Sequence, residues 1–131
     1  MNENDIAMTM QQRLADANIA TVVYENQDAN PERPFLFVQH VPVERVDNTL
    51  AGGQLISRGF MAVTAVIEEG AFASAAQEML DEVSDLFPKG LRLTITGGVI
   101  TIPRPVSMLA GFQDVADYRR VAQVFYDASA T

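Results

Sequence analysis

The run Phe60-Met-Ala-Val-Thr-Ala-Val-Ile67 constrains the fold more than any other segment of the chain. Its β-branched residues favour an extended backbone. Successive side chains of a strand point to opposite faces of a sheet, and this run is apolar on both. Such a strand has to be covered on both sides, by helices or by another subunit. The same run is the longest strongly apolar stretch in the sequence, and it falls far short of the roughly 20 residues a helix needs to cross a bilayer. It belongs to a longer strand predicted from about Gln54 to Glu68, entered through the turn Asp47–Gly53 and broken by Gly70.

Around it the pattern alternates between helix and strand periods. Asn4 can cap a first helix over about residues 5–17, where Ile6, Met10 and Leu14 recur every four residues and make one apolar stripe. Ile19–Tyr24 is short and β-branched and reads as a strand. The polar, proline-closed segment ENQDANPERP follows as a connection. Phe35–Val46 is a second strand, with Phe35, Phe37, Gln39 and Val41 facing one way and Leu36, Val38 and His40 the other; Pro42 ends its regular pairing or places it at an edge. Residues 71–87 carry the clearest helical period, with Phe72, Ala76, Met79, Val83 and Leu86 as the buried stripe and Glu78, Asp81, Glu82 and Asp85 on an acidic outer face. Pro88 and Gly90 stop it. Leu91–Thr96 and Val99–Ile102 form a hairpin about a Gly97-Gly98 turn. Residues 107–117 read as a small-residue loop before a last strand, Tyr118–Tyr126. The order α-β-β-β-α-β-β-β predicts one α+β domain, a mostly antiparallel sheet with two helices packed on one face. The other sheet face keeps apolar side chains to hide, which is a first sign of assembly.

Composition removes most enzyme chemistry. The chain of 131 residues has no cysteine, so disulfides, thiol catalysis and cysteine metal sites are excluded. Its single histidine, His40, rules out a multi-histidine metal centre. A net charge of −8 argues against a groove that tracks nucleic-acid phosphates, because such binding needs lysine and arginine. The amino-terminal segment lacks the basic and apolar regions of a secretory signal, so the expectation is a soluble intracellular domain.

The remaining candidates for chemistry read as structural. His40 lies in an apolar strand with no acidic sequence neighbour closer than Glu44. Glu68 and Glu69 are adjacent, so in a strand they point apart and cannot work as a pair. The acidic residues of the second helix form a solvated face, and Gly52-Gly53 lacks the Lys-Ser/Thr that would follow in a phosphate loop. No catalytic, cofactor-binding or metal-binding residues are therefore assigned. The basic residues carry more information. Eight of nine are arginine, whose planar, weakly hydrated fork suits interfaces. Arg58, Arg119 and Arg120 flank or interrupt apolar strands, and Phe60, Met61, Tyr118 and Tyr126 would supply anchors for the same surface. Those seven residues form the candidate subunit interface, against the plainer reading of edge charges that discourage aggregation.

From Tyr24 to Tyr126 the segments also resemble a known family. NPERPFLFVQHVPV leads into a strand, GGQLISRGFMAVTAVIEEG is a glycine-interrupted strand, AFASAAQEMLDEVSDLFPKG is an alanine-rich helix, and DYRRVAQVFYDA is a closing Tyr-Arg-Arg strand. Together they resemble the tail terminator, or tail-completion, proteins of long-tailed bacteriophages, the lambda minor-tail-protein-U-like group. The resemblance implies a structural virion protein, made in the host cytoplasm and built into the tail. It implies a hexameric ring of this chain at the head-proximal end of the tail tube. That ring stops tube polymerisation, offers a surface to the head completion or connector protein, and lets DNA pass without sequence reading. No cofactor and no membrane enter this picture. The long segments Glu25–Pro34 and Val106–Asp117 would reach the tube or ring neighbours. The alternatives left open are a head–tail connector protein and a small-ligand-binding domain with a pocket between helix and sheet.

Overall fold

The computed structural model describes residues 1–25, 31–68, 70, 73–114 and 116–131. Two helices and eight strands follow in the order α1 (Glu3–Asp16), β1 (Thr21–Tyr24), β2 (Phe35–Val46), β3 (Ile56–Glu68), α2 (Ala73–Leu86), β4 (Arg92–Ile95), β5 (Gly98–Thr101), β6 (Ser107–Met108), β7 (Phe112–Asp114) and β8 (Asp117–Ala130). They build one sheet in the order β1-β2-β3-β8-β5-β4, with β6 and β7 added along the β5 edge of β8. At its centre lies β3, paired antiparallel with β2 on one side and with β8 on the other. Met61–Ile67 are all buried, as the two-sided apolar run requires.

The sheet is mixed. The β1–β2 ladder is parallel, Thr21 opposite Phe35 and Tyr24 opposite Val38, and the other ladders are antiparallel. A parallel neighbour needs a connection long enough to carry the chain back to its starting end, and the proline-bounded segment between Tyr24 and Phe35 supplies it. β2 continues past Pro42 to Val46. The proline is accommodated by a register shift between Pro42 and Glu44, in the part of β2 that β1 does not cover. A residue without an N–H costs nothing on an edge.

Helix positions shift slightly from expectation. Asn2 caps α1, its side-chain oxygen accepting the Asp5 N–H at 2.8 Å, two residues ahead of the expected Asn4. Ile6, Met10 and Leu14 are buried as a stripe. In α2 the deepest residues are Ala76, Leu80 and Val83, followed by Phe87. Met79 and Leu86 flank them half-buried, and Phe72 lies outside the described residues. The stripe keeps its 4-3-4 spacing but is turned by about one residue, because the aromatic Phe87 fills the centre and carries Leu80 with it. The β4–β5 hairpin turns on Thr96 and Gly97, since Ile95 and Gly98 are already paired; Gly97 takes the left-handed φ of 76°. The segment expected as a loop before the last strand instead forms β6 and β7 against β8. Backbone groups beside a long strand are better satisfied by pairing than by solvent alone.

Alternation sorts the sheet into two faces. Leu36 and Val38 of β2, Met61, Val63, Ala65 and Ile67 of β3, and Ala122, Val124, Tyr126 and Ala128 of β8 join the stripes of both helices in one core. Both helices pack on that face.

A carboxylate ties α1 to the sheet. Glu3 Oε1 accepts the Tyr126 hydroxyl at 2.9 Å and stands 3.1 Å from His40 Nε2. Its Oε2 accepts the Ser57 hydroxyl at 2.7 Å and lies 3.1 Å from Arg45 Nε. The His40 ring stacks on Tyr126 with centroids 5.4 Å apart. One helix is thereby pinned to β2, β3 and β8 together. Burial raises the Glu3 carboxyl, but the hydrogen bonds from Ser57, His40 and Tyr126 outweigh it and hold the group below its ordinary value. Burial and then the neighbouring Glu3 push the Tyr126 phenol well above its usual range.

Two predictions follow from this packing. Glu3 favours its charged form when folded, so its stabilisation is present above pH 4.5 and is lost as pH falls through its lower native value. Glu3→Gln should cost about 1–3 kcal/mol at neutral pH and flatten the acid limb of a stability–pH curve measured by urea denaturation. Gly59 is buried where a Cβ would strike the Val41 carbonyl and lie 2.9 Å from both Pro42 Cα and the Tyr126 hydroxyl. Gly59→Ala should lose at least about 1–3 kcal/mol in the same assay, because backbone has to move.

Candidate assembly surface

The face of the sheet turned away from the helices is built from the other half of each strand. Register places its side chains in cross-strand rows. Glu44, Arg58 and Asp127 form a charged row at one end, with Arg58 3.6 Å from Glu44 and 3.5 Å from Asp127. Next come Val41, Phe60 and Phe125; the two phenyl rings tilt together at 5.5 Å, and the Arg104 guanidinium lies 3.5 Å above the Phe125 ring. Gln39, Ala62 and Gln123 follow, then Phe37, Thr64 and Val121, then Phe35, Val66 and Arg119.

The centre of this face is apolar and its ends are charged. Ala62, Thr64 and Val66 are buried because each is a small residue between larger ones on β2 and β8. Phe35, Phe37, Phe60, Val121 and Phe125 are half-buried, and among the described residues no helix lies over them. The apolar surface continues over the edge of β8. Phe112 pairs opposite Arg119 and is 49% exposed, while Leu109 donates its N–H to the Val121 carbonyl and is 45% exposed. At the far end Arg119 lies 3.3 Å from both Asp114 and Asp117, and Arg33 joins Asp117 and donates to the Ala116 carbonyl at 3.1 Å. Arg119 Nε is buried and reaches Asp114 without hydrogen-bond geometry.

Strand alternation divides the residues expected at an interface. Arg58, Phe60 and Arg119 share the open face, with Arg58 and Arg119 at its opposite ends. Met61 and Tyr126 are each only 1% exposed and belong to the helix-side core. Tyr118 packs half-buried against that core, opposite Ile67, and Arg120 lies opposite Ala65 on the same side with Nε bonded to the Leu109 carbonyl at 3.1 Å. Neighbours in sequence, such as Phe60 and Met61 or Arg119 and Arg120, cannot share a surface when the strand is regular. Phe37, Val121, Leu109 and Phe112 were not among the expected interface residues. For Phe37 the signal was present, since Phe35, Phe37, Gln39 and Val41 alternate along one side of β2. For Leu109 and Phe112 it was not, because nothing local marks β6 and β7 as strands. In the segment expected to reach out from Val106 to Asp117, β6 and β7 pair with the subunit's own β8. Of the other such segment, residues 26–30 lie outside the described residues, and Glu25 accepts the His40 N–H at 2.6 Å.

The polar cluster around His40 does not contain a hydrogen-bonded serine–histidine pair. Nucleophilic catalysis needs the nucleophile hydrogen-bonded to its base. Here the Ser57 hydroxyl donates to Glu3 rather than to His40. Among the described residues no group of three or more His, Asp or Glu side chains could hold a metal ion, and no helix is long and apolar enough to cross a membrane.

Comparison with known proteins places this architecture. A solved structure that carries no functional name superimposes with a TM-score of 0.76 at 21% identity, over 100% of this chain and 96% of its own. A chain from the virion of a native gene transfer agent particle matches with a TM-score of 0.63 at 20% identity, over 98% of this chain and 96% of its own. At these identities the likeness is one of fold. A search of curated proteins finds no match. The family model of the phage tail terminator protein matches residues 5–126, from the first turn of α1 to the buried tyrosine of β8. The chain therefore belongs to the phage tail terminator family, a family of tail structural proteins rather than enzymes.

Proposed function

We propose that this chain closes into a hexameric ring on the head-proximal end of the tail tube, ends tube polymerisation there and presents the surface that joins the head. The observation that carries the reading is the uncovered sheet face, apolar at its centre and continued by Leu109 and Phe112. A monomer that leaves such a face in water gains by covering it with protein. A ring covers it through a heterologous contact, in which different patches of neighbouring subunits meet. The gene transfer agent neighbour, a chain of a virion by its title, supports a place in a virion. A net charge of −8 suits a ring through which DNA passes, because an acidic lumen does not grip a polyanion. The tail tube protein and a head completion protein are the partners this function requires.

Where the helices meet β3 and β8 the space is filled by side chains, among them Met10, Leu80, Phe87 and Tyr126. That favours assembly over binding of a small ligand at that position.

Leu109→Glu combined with Phe112→Glu tests the reading. Both side chains are about half exposed, so the variant should keep its melting temperature within a few degrees. It should sediment as a monomer where the parent forms rings, and it should fail to limit the length of tubes grown from purified tube protein. Tubes that grow equally long with and without the parent protein would overturn the function.

A further inference from the structure

The β2–β3 hairpin extends beyond β1, which covers only Phe35–Val38 of β2. Its loop, residues 47–55, is ordered by its own bonds. Asp47 Oδ1 accepts the N–H and the hydroxyl of Thr49 at 2.9 and 2.6 Å, and Oδ2 accepts the Gln54 N–H at 3.3 Å. Gly52 and Gly53, at φ of 77° and 88°, turn the chain back through conformations that glycine adopts without strain. At the tip stands Leu50, whose side chain is wholly in solvent at 110% relative exposure, and Val43 on the arm is 70% exposed. A loop closed by internal hydrogen bonds therefore presents a leucine that does nothing for its own subunit.

The same chain carries a hollow of fitting chemistry. It is about 660 Å³ in volume and lies between α1, the last turn of α2 and β4; Met8, Ala17, Leu86 and Leu93 give it its apolar surface, and Thr9, Gln12, Arg13 and Asp16, the second and last of these joined at 2.7 Å, stand among them. Met8 is 59% exposed there, and Leu86 and Leu93 are half-buried. One wall is fixed, because Arg13 donates from Nε to the Leu86 carbonyl at 3.0 Å and lies 5.9 Å from the Phe87 ring centroid. The opposite wall can adjust, since methionine is flexible and adapts to what it meets.

Knob and hollow sit on different flanks of the subunit. The loop springs from β2 and β3, whereas the hollow lies by β4, three strand steps beyond β3, or about 14 Å at the usual strand spacing. The loop also brings no free carboxylate to the apolar side chains Met8, Leu86 and Leu93 of the hollow. Asp47 is its single charged residue, and both oxygens of that carboxylate are already engaged. Complementary patches at separate places on one molecule join copies head to tail, and they close into a ring where the rotation permits.

We propose that Leu50 of one copy seats in the Met8–Leu86–Leu93 hollow of the next. The inference rests on the ring reading and names two of the surfaces that meet in it.

The test uses the absence of native cysteine. Leu50→Cys and Met8→Cys are made separately, mixed at concentrations where the parent chain assembles, and joined with a short bis-maleimide. Light scattering follows the same samples. The expected result is a Leu50–Met8 heteropair several-fold in excess of either homopair. Leu50→Glu, at an exposed position, should keep the parent melting temperature and weaken assembly at least about tenfold. Rings that form with no excess of the heteropair, or that survive Leu50→Glu unchanged, overturn the knob contact and leave the ring standing. A chain that stays monomeric at every concentration and on tube ends, with no heteropair, overturns both.

Discussion

The fold depends on β3 having long, well-matched neighbours on both sides. Antiparallel pairing with β2 and with β8 runs along most of its length, and every backbone group so paired is one that need not meet water. Because pairing holds the strand regular, alternate side chains separate cleanly. Met61, Val63, Ala65 and Ile67 go to the helices, while Phe60, Ala62, Thr64 and Val66 go to the open face. A slip of one residue would exchange these sets. The register is held by unlike residues that cannot be exchanged without cost, such as Gly59 against the Tyr126 hydroxyl and Arg58 between Glu44 and Asp127.

Against this strand the helices need only be fixed in place. The Glu3 carboxylate gathers donors from β2, β3 and β8 at the amino end of α1, and Arg13 bonds the final turn of α2 from the carboxyl end. Glu3 is half-buried, and its hydrogen bonds offset the loss of water that burial imposes. The only histidine is used here as one of those donors and as a stacking partner for Tyr126, which gives it a structural place in an otherwise apolar strand.

Much of this was legible in the sequence wherever information is local. The period of Ile6, Met10 and Leu14, the two-sided run of β3 and the alternation of Phe35, Phe37 and Gln39 each report a local environment, and the structure follows them. The mixed sheet, the strands β6 and β7 and the Glu3 cluster are set by contacts between distant segments. Nothing near residue 3 points to residue 40, and nothing near Ser107 announces a place beside Gln123. The seven interface candidates divide between two faces for a different reason. Adjacent arginines and adjacent aromatic residues invite grouping by sequence, whereas a strand groups residues two apart. Applying the strand period to Tyr118–Arg120 would already have separated Arg119 from its neighbours.

The consequence for assembly is a division of labour within single strands. One face of β3 and β8 holds the monomer together, and the other carries apolar area that the monomer does not need for its own core. Substitutions at Val124 or Met61 act on folding, since those side chains have no solvent to begin with. Substitutions at Leu109, Phe112 or Leu50 act on surfaces that the isolated chain leaves wet. The two sets of substitutions therefore separate folding from surface. The charged rows at Glu44–Arg58–Asp127 and at Arg119–Asp114 border the apolar centre and discourage wrong, edge-on association. The exposed apolar residues lie between or beyond those borders, where only a partner of matching shape can reach them.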